Sequence, residues 1–294
     1  MITLYIDTNL LNGEIPDCWN HWDVLAYLNL GNNNLTGKIP LTLGQTNPST
    51  LNLRNNRMFG ELPSTMQNST NLIMLDLSEN HFNGSVPAWI GDKLSNLVVL
   101  SLRSNNFDGH IPHKILLKGR EDEYGHTLGL VTNLDLSVNS LTGEIPKEIG
   151  SLVGLLSLNF SGNHLTGNIP DNIGNMKFLE SLDLAMNRLN GEIPPSFSKL
   201  NFLNHFNVSY NNLTGQIPTS TQLQSFENLS YVGNHLCGPP LTKNCTTTGI
   251  PTDIANNGSS SEGSKVNWSW RHAYYRKLDH VGRQLYVFWS IMGI

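Results

Sequence analysis

Nine prolines recur along this chain at nearly constant spacing. The dipeptide Ile-Pro, or its Leu-Pro or Val-Pro variant, ends at Pro16, Pro40, Pro63, Pro87, Pro112, Pro146, Pro170, Pro194 and Pro218, in steps of 24, 23, 24, 25, 34, 24, 24 and 24 residues. Ahead of each proline the chain follows one pattern, L-x-L-x-x-N-x-L-x-G-x-I-P, as in LDLSENHFNGSVP and LDLAMNRLNGEIP. A unit of two dozen residues cannot bury an apolar face alone, so its core must come from stacking on its neighbours. That excludes an ordinary globule over most of the chain.

Each position of the unit has a physical reason. The L-x-L pair alternates with period two, so both leucines point inward from a short strand and the middle residue faces out. Strands of successive units stack about 4.8 Å apart into a parallel sheet. The row Asn9, Asn33, Asn56, Asn80, Asn105, Asn139, Asn163, Asn187 and Asn211 falls where the backbone leaves the strand. Asn carries both donors and an acceptor, and stacked rungs can share it as a ladder. The 38 Asn, against 18 Lys and Arg, suggest such a repeated structural task. The glycine permits a bend or a close approach, and the proline starts the return along the convex side.

These are the marks of a leucine-rich repeat, and the L-x-G-x-I-P extension resembles the plant-specific class. Residues 1–245 resemble the extracellular part of plant receptor-like proteins, the kinase-less relatives of receptor kinases. PDCWNHWDVLAYLNLGNNNLTGKIP at 16–40 is similar to a repeat of that group, and LLKGREDEYGHTLGLVTNLDLS at 116–137 to the end of its non-repeat island. SFENLSYVGNHLCGPPLTKNC at 225–245 is similar to its C-terminal cap. The expected fold class is an α/β solenoid: a leucine-rich repeat superhelix with a parallel concave sheet and a mostly irregular or short-helical convex side.

The spacing sets the organisation. Repeats one to five occupy 1–112, an island 113–133, repeats six to nine 134–218, a cap 219–245, and a linker with an aromatic and basic tail 246–294. Pro112 to Leu134 holds 21 residues where about eleven are usual, so the stack is interrupted. The island is shorter than the group's pattern. It carries Arg120, Glu121 and Tyr124, which form, with His205 and Tyr210 at the end of the sheet, the expected partner-binding set. The resemblance implies that the island and the repeats after it meet a co-receptor kinase; a solvated loop is the plainer reading. Cys237 and Cys245 flank the turn-rich GPPLTKN, and their pairing would close a loop over the last repeat, with free thiols as the alternative. Cys18 has no partner and is expected in apolar packing rather than in a metal site.

Sequons are frequent, and those expected to carry glycans are Asn34, Asn68, Asn83, Asn212 and Asn228. Asn159 and Asn207 also head sequons, in the outward middle of L-x-L, where a glycan would lie on the concave face. The outward columns give the ligand expectation. Arg54 and Arg103 stand two rungs apart with Asp76 and Glu79 between them, and Tyr27 is upstream; this mixed patch could pair a peptide's carboxylate and a basic side chain. A solvated sheet face is the plainer alternative.

Other classes fit poorly. The first 245 residues carry 13 Lys and Arg against 20 Asp and Glu, so nucleic acid is not an expected partner. The glycines come one per repeat rather than in a phosphate loop, and the ten His form no set with a nucleophile, so no enzyme, metal or cofactor is expected. The opening MITLYIDTNL does not read as a signal peptide, and the tail ends in a ten-residue, mostly apolar run, half a membrane span. Two readings stand for 266–294: surface contact with a membrane, or a frame-shifted or mis-spliced end. The resemblance implies a protein- or peptide-binding ectodomain on the outer side of the plasma membrane, in defence or developmental signalling through a partner kinase. The alternatives are a secreted inhibitor of a microbial cell-wall hydrolase and a non-functional gene fragment.

Overall fold

A computed structural model describes residues 2–22, 24–113 and 131–245. Nine short strands, Ile2–Tyr5, Leu25–Asn29, Thr50–Asn52, Met74–Asp76, Val99–Ser101, Asn133–Asp135, Ser157–Asn159, Ser181–Asp183 and His205–Asn207, form one parallel sheet in sequence order. Equivalent residues of each unit are in register: Leu28 faces Leu51, Leu51 faces Leu75, and Leu75 faces Leu100. The strand after the long step pairs directly with the one before it, Leu134 opposite Leu100, so the sheet is continuous across that step. Both leucines of each pair point into the solenoid: Leu28, Leu53, Leu75, Leu77, Leu102 and Leu136 are all essentially unexposed.

The asparagines stack in file. Asn56 Nδ2 donates to the carbonyls of Leu53 (3.0 Å) and Arg54 (3.2 Å) in its own rung and Leu30 (3.0 Å) in the rung before. Its Oδ1 accepts the Leu35 N–H at 2.9 Å. Asn33, Asn80, Asn105, Asn139, Asn163, Asn187 and Asn211 repeat this pattern. Asn234, inside the cap, adds a further rung by accepting from Leu213. Asn9 Nδ2 donates to the carbonyls of Ile6 and Asp7 in its own rung.

The return path differs from the expectation in one respect. The residues around each repeat glycine form a second row of short parallel strands, such as His81–Ser85 beside Asn106–Asp108 and Asn190–Glu192 beside Asn212–Gln216. The glycines hold φ between +72° and +89° there, a region that costs other residues a steric penalty. The convex side is then turned by 3-10 segments that begin directly after the repeat proline. Pro40, Pro63, Pro146, Pro170 and Pro194 cap the segments Leu41–Gln45, Ser64–Asn68, Lys147–Ser151, Asp171–Asn175 and Pro195–Lys199. Each of these prolines accepts, through its carbonyl, the N–H three residues on, as Leu43 donates to Pro40 at 3.2 Å.

The C-terminal end is closed. The Phe206 ring lies 5.7 Å from Phe226 and 5.6 Å from Tyr231. The buried Tyr231 hydroxyl donates to the Leu223 carbonyl, and burial pushes that phenol well above its usual range. Cys237 and Cys245 are joined, so the expected disulfide is present. Cys18 is exposed, which corrects the expectation of apolar packing: it precedes the short 3-10 turn Trp19–His21, where Trp19 takes the buried place. Among the described residues no helix is long and apolar enough to cross a membrane.

Candidate functional site

The concave face is the broadest surface on which the repeats differ from one another. Its middle column was expected to face solvent, and the structure corrects this at five positions, while Tyr5 is 61% exposed and Ser101, Asp135 and Asn159 are half-buried. Asn29, Asn52, Asp76, Asp183 and Asn207 are each less than a tenth exposed. Their short side chains bend along the strand, and each Oδ1 accepts the N–H two residues on: Asn52 from Arg54 (3.0 Å), Asp76 from Ser78 (3.0 Å), Asp183 from Ala185 (3.0 Å). Where serine stands two residues on, its hydroxyl adds a second bond, 2.6 Å from Ser78 to Asp76 and 2.8 Å from Ser161 to Asn159. This second polar ladder explains the sequons at Asn159 and Asn207: Asx followed two residues later by Ser is the ladder's own hydrogen-bond pair. In both, the Oδ1 is engaged with the backbone N–H two residues on.

Asp76, expected to touch a ligand, is therefore part of this ladder. Burial pushes its carboxyl above the ordinary Asp range, against the opposing pull of the Ser78 hydrogen bonds and the Arg54 charge. Asp135 behaves alike: burial raises it, while Ser137 and the Arg103 charge pull it back. Arg54 and Glu79 do come together, with Nη2 donating to Oε1 at 2.8 Å and each side chain about a third exposed. Arg103 is half-buried on the same face, two rungs further, where its charge acts on Asp135. Tyr27 is half-buried on the strand Leu25–Asn29.

Sequence reasoning missed the columns just before L-x-L. Ile73 is 45% exposed, and Met74, Val98 and Val99 beside it are half-buried, giving an apolar patch on the strands that carry Glu79 and Arg103. The available signal was apolar residues at 73–74 and 98–99 where neighbouring rungs place Ser49, Thr50, Thr132 and Asn133.

Of the expected partner set, Arg120, Glu121 and Tyr124 lie outside the described residues, as does the 266–294 tail. Tyr210 is 60% exposed, and His205 turns Nε2 toward Asp183 Oδ2 at 3.7 Å. Among the expected glycan sites Asn68, Asn83, Asn212 and Asn228 are exposed and Asn34 is half-buried. No group of three or more His, Cys, Asp or Glu suited to a metal ion occurs among the described residues.

The Leucine Rich Repeat family pattern matches residues 24–46, 71–92, 96–116, 131–152, 154–176, 178–200 and 202–223. The chain belongs to the leucine-rich repeat family. It is 38% identical to the receptor-like protein EIX2 of Solanum lycopersicum over 98% of its own length and 34% of that protein. It therefore spans about a third of this relative. The aligned stretch, 372 positions, is longer than the 294-residue chain, so the relative carries residues within it that this chain lacks. Among solved structures it resembles the ectodomain of the plant membrane receptor kinase GASSHO1/SCHENGEN3 from Arabidopsis thaliana, bound to CASPARIAN STRIP INTEGRITY FACTOR 2. The TM-score is 0.74 and the identity 40%, over 81% of this chain and 27% of that one. It also resembles the Arabidopsis receptor kinase HAESA, solved with the peptide hormone IDA and the co-receptor SERK1, at a TM-score of 0.73 and 34% identity, covering 84% and 39%. Repeats of this leucine-rich class in plant receptor ectodomains are thus what the chain is similar to by sequence and by fold.

Proposed function

We propose that this chain is the ligand-recognition part of a plant receptor-like protein, acting at the outer side of the plasma membrane in defence or developmental signalling through a partner kinase. The observation that carries the reading is the break in periodicity on the concave face. Ile73, Met74, Val98 and Val99 form an apolar patch on adjacent rungs beside the Arg54–Glu79 pair and Arg103. An apolar centre with charged groups at its edge is the composition of a protein-binding surface. Similarity to ectodomains solved with peptide hormones supports the same direction.

A test is a binding screen of the chain against plant peptide hormones and secreted microbial proteins, read by interferometry. The reading expects a ligand whose Kd rises at least about tenfold, roughly one hot-spot contact, on Ile73→Asp or Arg103→Glu. The convex control Lys199→Glu should leave it unchanged. A ligand indifferent to both concave substitutions would remove the concave face from consideration. Should the binder be a microbial cell-wall hydrolase that loses activity in the complex, the inhibitor alternative takes precedence.

A further inference from the structure

Two exposed side chains of the last repeat stand two residues apart. Tyr210 holds φ 55° in the left-handed row and is 60% exposed. Asn212 opens the strand Asn212–Gln216 and heads the sequon Asn212-Leu213-Thr214, in which Asn212 and Thr214 are both exposed. The next rung brings the ring and the amide to one place. A Cβ added at Gly233 would meet Tyr210 Cδ1 at 2.7 Å, so the ring edge lies against that glycine. Continuing the register Thr214↔His235 back by two residues sets Gly233 beside Asn212, about one strand spacing away. Asn234 Oδ1, which accepts the Leu213 N–H at 2.9 Å, holds this alignment.

Of the expected glycan sites, Asn212 is the one preceded at this distance by an exposed Phe or Tyr. Asn32, Met66 and His81 stand two residues before Asn34, Asn68 and Asn83. Asn228 has Phe226 there, but that residue is half-buried, its ring 5.7 Å from Phe206 in the cap. A pyranose presents a face of C–H bonds, and a flat aromatic ring covers that face without needing a hydrogen bond.

We propose that Asn212 is N-glycosylated and that its first N-acetylglucosamine packs on the Tyr210 ring, making the sugar a structural cover for the last repeat. The Asn212 amide nitrogen attacks C1 of an oligosaccharide carried on a lipid pyrophosphate. An N–C1 bond forms, the C1–O bond breaks with its electron pair leaving on the lipid pyrophosphate, and the amide gives up one proton. Tyr210, expected at a partner interface, is then covered by the chain's own sugar. The inference rests on the receptor reading only for passage through the secretory route, where such donors occur.

For the test, the full chain is secreted from plant cells behind a cleaved leader, alone and as its Tyr210→Phe, Tyr210→Ala and Asn212→Gln variants. Glycopeptide mass spectrometry should find Asn212 occupied in the unaltered chain and in Tyr210→Phe. Amide exchange in His235–Cys237 then reads the packing. Trimming the glycan to one N-acetylglucosamine should preserve the protection there. Asn212→Gln should lower it about three- to tenfold, the size of one aromatic contact. The same change added to Tyr210→Phe should cost as much, and added to Tyr210→Ala nothing. As a check free of mutation, the ring current of Tyr210 must move the C–H resonances of the first sugar at Asn212 upfield of those at the other occupied sites. A bare Asn212, equal protection with and without its sugar, or unmoved sugar resonances each overturn the proposal. The leader is supplied and no hormone or kinase enters this assay, so its failure leaves the receptor reading intact, and failure of the hormone screen leaves this result interpretable.

Discussion

Asp135 shows how a single side chain in a repeated column can work against the fold. In its column Asn29, Asn52, Asn159 and Asn207 perform the same hydrogen bonding without a charge. Burial raises the Asp135 carboxyl above its unfolded value, so the native state holds its proton more tightly than the unfolded chain does. Stability from this group is therefore present below the ordinary Asp range and is lost as pH rises through the raised native value. Asp135→Asn, made without glycosylation because it creates a sequon, should raise the unfolding midpoint at pH 7. The gain should vanish below about pH 4, the ordinary Asp range; a gain independent of pH would show that charge burial is not its cause. Val138 poses a backbone counterpart. It holds φ 55°, in the left-handed row that other rungs fill with Asn32, Asn55 and Gly162. For a β-branched residue this costs about 1–2 kcal/mol, offset in part by the added freedom of glycine in the unfolded chain. Val138→Gly should stabilise by about 0.5–1 kcal/mol in urea titration.

At the scale of elements, the convex turns are packed more closely than their sequence suggests. A Cβ added at Gly174, in the segment Asp171–Asn175, would lie 2.4 Å from Ser196 Cβ and 2.7 Å from the Ser196 backbone carbon in the next turn. Gly44 meets the Thr65 backbone at 2.6 Å in the same way. Gly174→Ala must push two neighbouring turns apart, and a loss of about 1–3 kcal/mol is expected by chemical denaturation; no loss would mean the turns can separate freely. These contacts also mark where the sequence was and was not legible. Strand positions, register and the asparagine file were readable because they recur at one spacing and answer to one hydrogen-bond requirement. Asn234 escaped because proline spacing ended at Pro218, although N-x-L continues in the cap. The closing of the Asp76 column was not readable from alternation, which gives the side of the sheet a residue takes but not whether its side chain bends back to the backbone. The Arg54–Glu79 pair depends on side-chain conformations across 25 residues of sequence, and the Ile73–Val99 patch on exposure, which a list of apolar residues does not contain.

For the molecule as a whole, the cap matters most. Stacked repeats meet only their neighbours, so the end rungs open before the middle ones unless something holds them. The Cys237–Cys245 link spans 8 residues of sequence, a loop length that corresponds to about 2–3 kcal/mol of chain restriction. Reduction, or Cys237→Ser, should speed amide exchange first in His235–Cys237 and then in His205–Asn207. Exchange in Thr50–Asn52 should change little. Uniform acceleration along the chain would instead mean that the solenoid unfolds as one unit.

The asparagine file carries a further implication. Each of these residues from Asn33 to Asn234 takes an N–H from the rung before it, and the same groups meet at every junction, including Phe107 with Asn139 across the longest step. A junction that is alike everywhere cannot distinguish one neighbour from another. Whole units can then be gained or dropped by recombination with the seam still matched.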